Sequence, residues 1–412
     1  MREHYFWILL RGRNRTASVG RSLAAAAVFA FGVWIDTPSS DAAEIAHLNI
    51  AYLTRVEERS PALSNPQWLQ PPEDEGLQGA RLAVDDNNTT GRFTNQSFAL
   101  VERIVPSDGD VGAVLRDLAE AGLRFVVANL GAEALDEILA VPEAERMIIF
   151  NAGAPDDRFR NKDCEAFLLH TLPSRAMLAD ALVQYLAKKR WTDWFLVTGA
   201  RPEDALFADA LRRAAERFGG SIVVEKTWDS AYDARRTAEA EVPVFTQVSD
   251  YDVLIVSDEA GLFGEQLMYH TWRPRLVAGT QGLVPTAWHR AVEQWGAVQL
   301  QNRFFRNAGR WMTAKDYAAW AAVRSIGEAA TRVNSIDFKP ITGYLRSDAF
   351  ELAAFKGRKL SYRRWNGQLR QPIPLVVPRY LVSLSPQEGF LHQHSELDTL
   401  GYDEAESTCR LE

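Results

Sequence analysis

Residues 167–203 read FLLHTLPSRAMLADALVQYLAKKRWTDWFLVTGARPE. Pro173 ends a short extended piece, because proline cannot donate to a strand ladder. Ser174 is then a good N-cap for a helix that begins near Arg175. Apolar residues follow at helical spacing, and a short buried strand comes next at residues 194–197. The stretch therefore predicts strand, helix and strand, and this pattern fits either one more unit of a single sheet or a link into a second sheet.

Strands alternate with helices along most of the remaining chain. The predicted strands are 48–53, 98–104, 125–128, 147–150, 221–226, 251–256 and 276–279, and the predicted helices include 75–87, 112–121, 132–139 and 313–333. Late strands are predicted at 359–365 and 374–377, around the Asn366-Gly367 turn. This alternation predicts an α/β fold in which helices cover parallel sheets. Ligands bind at the carboxyl ends of the strands in such sheets.

The N-terminus has the layout of a secretory signal. Arginines precede an apolar run at residues 23–35, and small and polar residues follow it. This pattern predicts a signal peptide over residues 1–43 that is cleaved near Ala42 or Ala43, with an uncleaved anchor as the alternative. The apolar run is too short to span a bilayer comfortably. The mature protein is therefore expected outside the cytoplasm, in the periplasm.

Composition narrows the class of protein. The chain has 412 residues, enough for two domains, and its net charge of −8 argues against nucleic acid as a partner. In an exported protein the two cysteines, Cys164 and Cys409, predict one disulfide, with two unpaired thiols as the alternative. The sequence contains no nucleophile elbow, zinc-protease helix motif, C-x-x-C pair or phosphate-binding loop. We therefore predict that it is not an enzyme.

Four segments together resemble a known family. They are EGLQGARLAVDDNN at 75–88, HTLPSRAMLADALVQYLAKKRW at 170–191, YDVLIVSDE at 251–259 and FKGRKLSYRRWNGQLRQPIPLVV at 355–377. In this order they resemble the type I periplasmic substrate-binding proteins of ABC transporters, of the branched-chain amino-acid binding kind. The hinge and the tail are also similar to a narrower subfamily that is associated with alcohol oxidation dependent on pyrroloquinoline quinone (PQQ).

The resemblance implies an architecture and a role. It implies two Rossmann-like lobes with parallel sheets, joined by a three-crossover hinge: lobe 1 from 47–169 plus 281–357, and lobe 2 from 170–280 plus 358–412. A monomer would close on a small-molecule ligand and deliver it to an ABC transporter permease, with no cofactor required. The ligand implied is PQQ or a related molecule. The alternatives are an amino acid, an amide or a small carboxylate, and a periplasmic ligand sensor would have the same fold.

The loops that would bind the ligand depart from those of the amino-acid binders. The loops at 129–131 and 151–154 lack the hydroxyl side chains that hold a ligand carboxylate in that family, so a larger, flatter ligand is expected. A planar polycarboxylate such as PQQ would need arginine forks and an aromatic face. The candidate ligand-binding residues are Arg55, Trp68, Asn129, Asn151, Ala152, Gly153, Arg175, Arg201, Asp258, Thr280, Gln281 and Trp288.

Each candidate also has a purely structural interpretation. The arginines could be solvated surface residues, the tryptophans could belong to the core, and the asparagines could stabilise turns. With an anionic ligand, Asp258-Glu259 should point away from the ligand or hold an arginine in place. His392, His394, Glu396 and Asp398 could form a metal site, but in a polar tail a solvated loop is the preferred interpretation, so we predict no metal site.

Overall fold

Two separate parallel β-sheets form the frame of the described chain, which comprises residues 45–57, 71–228 and 237–411 of a computed structural model. The strands of the first sheet are β1 (Ala46–Arg55), β2 (Gln96–Val105), β3 (Phe125–Asn129), β4 (Ile148–Asn151) and β5 (Leu168–His170). They lie in the order β2-β1-β3-β4-β5, and every pair is parallel. The helices that connect them are α1 (Leu77–Thr94), α2 (Val111–Glu120) and α3 (Ala132–Leu139).

The second sheet repeats this arrangement. Its strands are β6 (Asp193–Thr198), β7 (Ser221–Thr227), β8 (Val253–Ser257) and β9 (Leu276–Gly279), in the parallel order β7-β6-β8-β9. Its helices are α4 (Arg175–Lys189), α5 (Pro202–Phe218), α6 (Ala238–Phe245) and α7 (Gly264–His270). β8 is buried along its whole length, as expected for a central parallel strand that helices cover on both faces. The predicted α/β fold with parallel sheets in two lobes is confirmed.

The stretch at 167–203 links the two sheets. β5 belongs to the first sheet and β6 to the second, with α4 between them. Ser174 caps α4 as predicted, because its Oγ accepts a hydrogen bond from the backbone N–H of Met177 at 3.3 Å. At the other end, Arg190 adopts a left-handed conformation with φ of 60° and ends the helix. The link therefore leads into a second sheet and is not one more unit of a single sheet.

The remaining elements complete both lobes. They are β10 (Val284–Pro285), α8 (Ala297–Ala308), α9 (Ala314–Val333), α10 (Phe338–Leu345), β11 (Leu352–Ala353), β12 (Lys359–Tyr362), β13 (Leu369–Arg370), β14 (Ile373–Val377) and β15 (Tyr380–Ser385). α9 packs on α1 in the core of the first lobe. It begins with a capping box, in which Thr313 Oγ1 accepts from the N–H of Asp316, and the Asp316 carboxylate accepts from the N–H of Thr313.

Within the described part of the chain, three segments cross from the core of one lobe to that of the other. Leu172 belongs to the core of the first lobe, whereas Met177, at the start of α4, belongs to that of the second. The chain returns between Leu283, in the second core, and Ala287, in the first. The third crossing falls between β13 and β14, because Leu369 packs in the first core and β14 in the second.

The late strands pair differently from the prediction. β12 turns at Asn366-Gly367 to pair antiparallel with β13, a strand of two residues. The predicted strand at 374–377 does exist as part of β14, but it pairs with β10 and β15 in a separate antiparallel sheet. The prediction that strands 359–365 and 374–377 flank one turn is wrong, because Pro372 and the crossing to the second lobe lie between them.

The C-terminal tail is fixed to the body of the protein. Cys164 and Cys409 form a disulfide with their Cα atoms 5.8 Å apart, which confirms the predicted pair. In the same tail, the buried Asp398 carboxylate accepts from Arg363 Nε at 2.8 Å. Asp180 on α4 accepts from the backbone N–H of Gly401 at 2.7 Å. Covalent and buried polar contacts therefore hold the tail in place together.

Candidate ligand-binding site

The carboxyl ends of the two sheets converge where α4 begins. Arg175 is the first residue of α4, and its Nη1 lies 3.1 Å from Asp156 Oδ2, in the loop after β4. Its Nε and Nη2 donate to the two carboxylate oxygens of Glu259, each at 2.7 Å, in the loop after β8. One guanidinium therefore joins the carboxyl-end loops of both lobes. Ligands bind at the carboxyl ends of the strands in open α/β sheets.

Arg175 is held by protein carboxylates. Its side chain is 4% exposed, whereas that of Glu259 is 26% exposed. Burial opposes the positive charge, but the hydrogen bonds and charges of Glu259 and Asp156 outweigh burial and raise the pKa of Arg175. Such bidentate pairs are strong and directional. Two nitrogens of this predicted ligand anchor are therefore already engaged by Glu259, whereas the buried Nη1 has no hydrogen-bond partner among the described residues.

Three predicted residues at the end of β4 form a closed turn. The buried Asn151 Oδ1 accepts from the backbone N–H groups of Gly153 at 3.2 Å and Ala154 at 2.9 Å, and its Nδ2 donates to the carbonyl of Ala154. Ala152 is buried beside it. A Cβ atom on Gly153 would lie 2.5 Å from the backbone of Leu130, so only glycine fits at this contact. The turn rests directly on the loop after β3.

Asn129 and Arg55 lie at the same edge of the first sheet. The half-buried Asn129 donates through Nδ2 to Tyr52 Oη at 2.9 Å and to the carbonyl of Glu75 at 2.8 Å. It thereby ties the loop after β3 to the start of α1. Arg55 Nη1 donates to Glu137 Oε1 at 2.7 Å in a partly exposed ion pair. Exposed pairs of this kind contribute little to stability, so a ligand anion could replace Glu137.

The Asp258 carboxylate in the second lobe is hydrogen-bonded to backbone N–H groups. Its carboxylate accepts from the N–H groups of Leu262, Phe263 and Gly264 at 2.9, 2.8 and 2.7 Å. The residue is 1% exposed. These three bonds satisfy the donors at the start of α7, which lack intrahelical partners. The carboxylate has no exposed surface to offer to a ligand in this structure.

Thr280 and Gln281 support the same loop. Thr280 Oγ1 accepts from the N–H of Asp258 at 2.9 Å, and Gln281 Nε2 donates to the carbonyl of Asp258 at 3.0 Å. Arg201 differs from the other predicted residues at this edge because its side chain is available to solvent. It is exposed at the N-terminus of α5 and forms no ion pair with a described residue.

Of the two predicted tryptophans, the structure describes Trp288. Trp288 is 2% exposed and stacks on Tyr317 of α9, with ring centroids 4.6 Å apart and an interplanar angle of 7°. It therefore packs in the core of the first lobe. Its Nε1 is buried and has no hydrogen-bond partner among the described residues. Trp68 and the predicted signal peptide lie outside the described residues.

Sequence reasoning missed two members of this edge. Asp156 lies in the acidic pair Asp156-Asp157 just before the hinge, and that pair was the available signal. Thr198 ends β6 and is 7% exposed, and its Oγ1 has no hydrogen-bond partner in the described part of the chain. Its position directly after the predicted strand 194–197 could have identified it, because strand ends carry ligand contacts in this fold class.

The histidines of the tail do not assemble a metal site. His392 Nε2 lies 3.1 Å from Asp403 Oδ2. The other acids considered are engaged elsewhere, since Asp398 is buried against Arg363 and Glu396 pairs with another arginine. Within residues 45–57, 71–228 and 237–411, no group of three or more His, Cys, Asp or Glu side chains could hold a metal ion.

Comparison with known proteins identifies the family. The profile of the family described as periplasmic binding protein matches residues 69–378. The chain belongs to the periplasmic binding protein family. No curated protein matches it. None of the helices described for this binding protein has the length and apolar character needed to cross a membrane.

Solved structures share the fold of this binding protein at low sequence identity. A branched-chain amino acid ABC transporter ligand-binding protein from Burkholderia xenovorans is 16% identical, with a TM-score of 0.65 over 82% of this chain and 95% of its own. A periplasmic binding protein from Burkholderia mallei is 15% identical, with a TM-score of 0.64 over 89% and 99%. The isoleucine complex of a branched-chain amino acid transporter substrate-binding protein from Streptococcus pneumoniae is 15% identical, with a TM-score of 0.61 over 82% and 98%.

Proposed function

We propose that this periplasmic binding protein captures a small molecule between its two lobes and delivers it to an ABC transporter permease. The observation that carries this proposal is the convergence of two parallel sheets, whose carboxyl-end loops meet at Arg175. The three crossing segments allow the lobes to move as bodies about a hinge. A ligand that contacts both edges would favour the closed arrangement, which a permease can distinguish from the open one.

The charges at the two edges favour a ligand that carries a negative group. Glu259 is engaged by Arg175, and Asp258 by three backbone N–H groups. Asp204 on α5 accepts from the N–H groups of Glu259 and Arg201 at 2.8 and 3.2 Å. These three acids of the second lobe's edge are thus occupied, whereas the Arg201 guanidinium is exposed and forms no ion pair with a described residue. An ammonium group would find these three acids already engaged.

PQQ is the specific ligand that we propose to test first. It is a planar polycarboxylate, and Arg201, Arg55 and the buried hydroxyl of Thr198 would supply a cation, a second exchangeable cation and a hydrogen bond. Arg175 and Trp288 are bound to other protein groups in this structure, and this proposal does not use them. An amino acid is the second candidate, because the solved structure from Streptococcus pneumoniae holds isoleucine.

A ligand titration tests the proposal. The exported protein is titrated with PQQ and, separately, with the common amino acids, and binding is followed by tryptophan fluorescence and by the absorbance of the quinone. Arg201→Ala should weaken PQQ binding about 10- to 100-fold, the usual effect of losing a charged hydrogen bond. Arg212→Ala is the matched control, because Arg212 is exposed on the same helix and pairs with Asp209 and Glu225.

The outcomes separate the ligand from the class of protein. Saturable binding of PQQ that weakens in Arg201→Ala alone would support the anionic ligand. Saturable binding of an amino acid without binding of PQQ would keep solute capture and discard PQQ. If neither PQQ nor any of the amino acids bound, and no compound in a wider panel of carboxylates and amides bound either, capture of a small carboxylate would be overturned.

A further inference from the structure

The outer face of α8 exposes apolar side chains that no described element covers. Val298 and Phe305 lie two turns apart on this face, and each is 43% exposed. Trp311 follows the helix and is also 43% exposed, with its ring centroid 4.8 Å from that of Phe305. The inner face of the same helix is buried through Leu300 and Phe304. Grouped exposed aromatic residues of this kind mark interaction sites more often than scattered ones do.

Three exposed arginines belong to the same region, and one of them contacts a ring. The exposed Arg290 has its guanidinium 5.8 Å from the Trp311 centroid and donates to the carbonyl of Pro378 at 3.5 Å. Arg379 follows Pro378 in the turn between β14 and β15, and Arg306 lies on α8, both exposed. None of the three arginines forms an ion pair with any described residue. The α8 surface is defined here as Val298, Phe305, Trp311, Arg290, Arg306 and Arg379.

The sign of this charge is unusual for the chain. The whole protein carries a net charge of −8, so three unneutralised arginines beside aromatic rings are a local reversal. The exposed Glu293 is near Arg290 in the sequence, but it pairs with none of the three. A second copy of the chain is a poor partner, because a two-fold contact would place like charges opposite each other. The surface requires an occupant that is both anionic and apolar.

We propose that the α8 surface binds an anionic phospholipid membrane. Tryptophan and arginine side chains together suit the boundary between headgroups and acyl chains, where the rings lie in the apolar layer and the guanidinium groups meet phosphate. Each basic residue near an anionic surface adds a similar increment of affinity. Few aromatic side chains are involved, so binding is weak and reversible. Such contact would hold the binding protein near the membrane that carries its permease, and it requires no ligand.

Vesicle sedimentation tests this proposal. The exported protein is mixed with vesicles of phosphatidylglycerol and phosphatidylcholine, or of phosphatidylcholine alone, at low and moderate salt. The wild type should sediment with the anionic vesicles only, and less so as salt rises. Neutralising Arg290, Arg306 and Arg379 to Gln should weaken binding about fivefold per residue. Phe305→Ser with Trp311→Ser should weaken it further while the melting temperature stays close to that of the wild type.

A matched control exists on the second lobe. Tyr269 and Trp272 are exposed there beside Arg273 and Arg275, but both arginines pair with Asp250, at 3.4 and 3.0 Å. Tyr269→Ser with Trp272→Ser should leave vesicle binding unchanged, and all variants share the same N-terminus. Equal sedimentation of every variant, or none by the wild type, would overturn the proposal. Binding to permease-containing membranes that persists after phosphatidylglycerol is removed would reassign the surface to an acidic protein partner.

Discussion

The Arg175 guanidinium joins loops of the two lobes through Glu259 and Asp156. Removing it with Arg175→Met would leave the Glu259 and Asp156 carboxylates near each other without a cation. Because Arg175 is buried, we expect the unfolding free energy to fall by about 3–5 kcal/mol. Urea unfolding of Arg175→Met, Glu259→Gln and the double variant would measure this effect and the coupling between the two residues.

The comparison needs an exposed ion pair as its control. Arg55→Met breaks the partly exposed pair with Glu137 and should cost less than about 1 kcal/mol. If the Arg175 and Glu259 variants were simply additive, the two side chains would not interact in solution, and the bridge between the lobes would have to be abandoned.

His170, at the end of β5, should make stability depend on pH. It is 1% exposed, its Nδ1 lies 3.1 Å from Asn151 Nδ2, and burial lowers its pKa well below 6.5. The unfolded chain therefore binds a proton near pH 6.5, whereas His170 in the folded chain does not. The folded state is therefore most stable, with respect to this group, above pH 6.5. It loses unfolding free energy as the pH falls, and the loss is about 2 kcal/mol near pH 5.

His170→Gln provides the measurement. Glutamine can still accept from Asn151 but does not titrate, so the variant should lose less stability than the wild type between pH 7.5 and pH 5. The other titrating groups are the same in both proteins and drop out of the difference. If the wild type and His170→Gln lost the same unfolding free energy between the two pH values, His170 would be protonated in the folded state as well.

Local sequence signals identified those residues whose role is local. Ser174 could be recognised as a cap because its partner lies three residues away. The partners of Arg175 and Trp288 lie far along the chain, at Glu259 and Tyr317, so no window of sequence distinguishes a ligand anchor from an internal bridge, or a cleft ring from a core ring. Both residues were predicted as ligand-binding candidates, but only the tertiary structure shows which groups they contact.

The same limit applies to secondary structure elements. The strand 276–279 and the helix 132–139 match the structure residue for residue. The helix has a clear apolar period, and the strand is a short apolar run that ends at a glycine. β10, β11 and β13 have two residues each, too few to show a period, and they exist only because neighbouring strands pair with them. α8 was missed although its sequence is amphipathic, with Leu300 and Phe304 on the buried face, so the signal was present and was not used.

The tail depends on the disulfide for much of its stability. Cys164 and Cys409 are 245 residues apart, and closing so long a loop stabilises the fold by about 5 kcal/mol in the chain-entropy treatment, an upper figure. Reduction, or Cys164→Ala with Cys409→Ala, should lower the urea midpoint by a corresponding amount. The buried contacts of Arg363 and Asp180 remain, so the reduced protein should still unfold cooperatively.

Each single cysteine variant should match the double variant, because either one removes the bond. The measurement is urea unfolding with and without a reductant that does not absorb in the far ultraviolet. A reduced wild type that is as stable as the oxidised protein would mean that the polar contacts alone hold the tail, and that the unfolded chain gains little freedom from reduction.

For the molecule as a whole, the order of elements predicted the architecture better than any motif did. Alternating strands and helices predicted parallel sheets covered by helices but left open whether there was one sheet or two. The resemblance, which rests on the order of the segments, implied two lobes, and the structure has two separate parallel sheets. The solved relatives share this fold at 16% identity or less in the three examples compared. The order of elements could not identify the ligand. Ligand recognition depends on a few side chains that differ among proteins of the same fold.

Net charge at the scale of the whole molecule gives a test of the ligand's charge. A protein of net charge −8 repels an approaching anion, and salt screens that repulsion. If the ligand is anionic, its association rate should rise severalfold between roughly 10 and 150 mM salt, because the Debye length shrinks from about 30 Å to about 8 Å. A zwitterionic amino acid should show almost no change. Stopped-flow tryptophan fluorescence with PQQ would measure this rate. A rate that falls with salt would mean that cations at the mouth of the cleft, with Arg201 the first to mutate, outweigh the field of the whole protein.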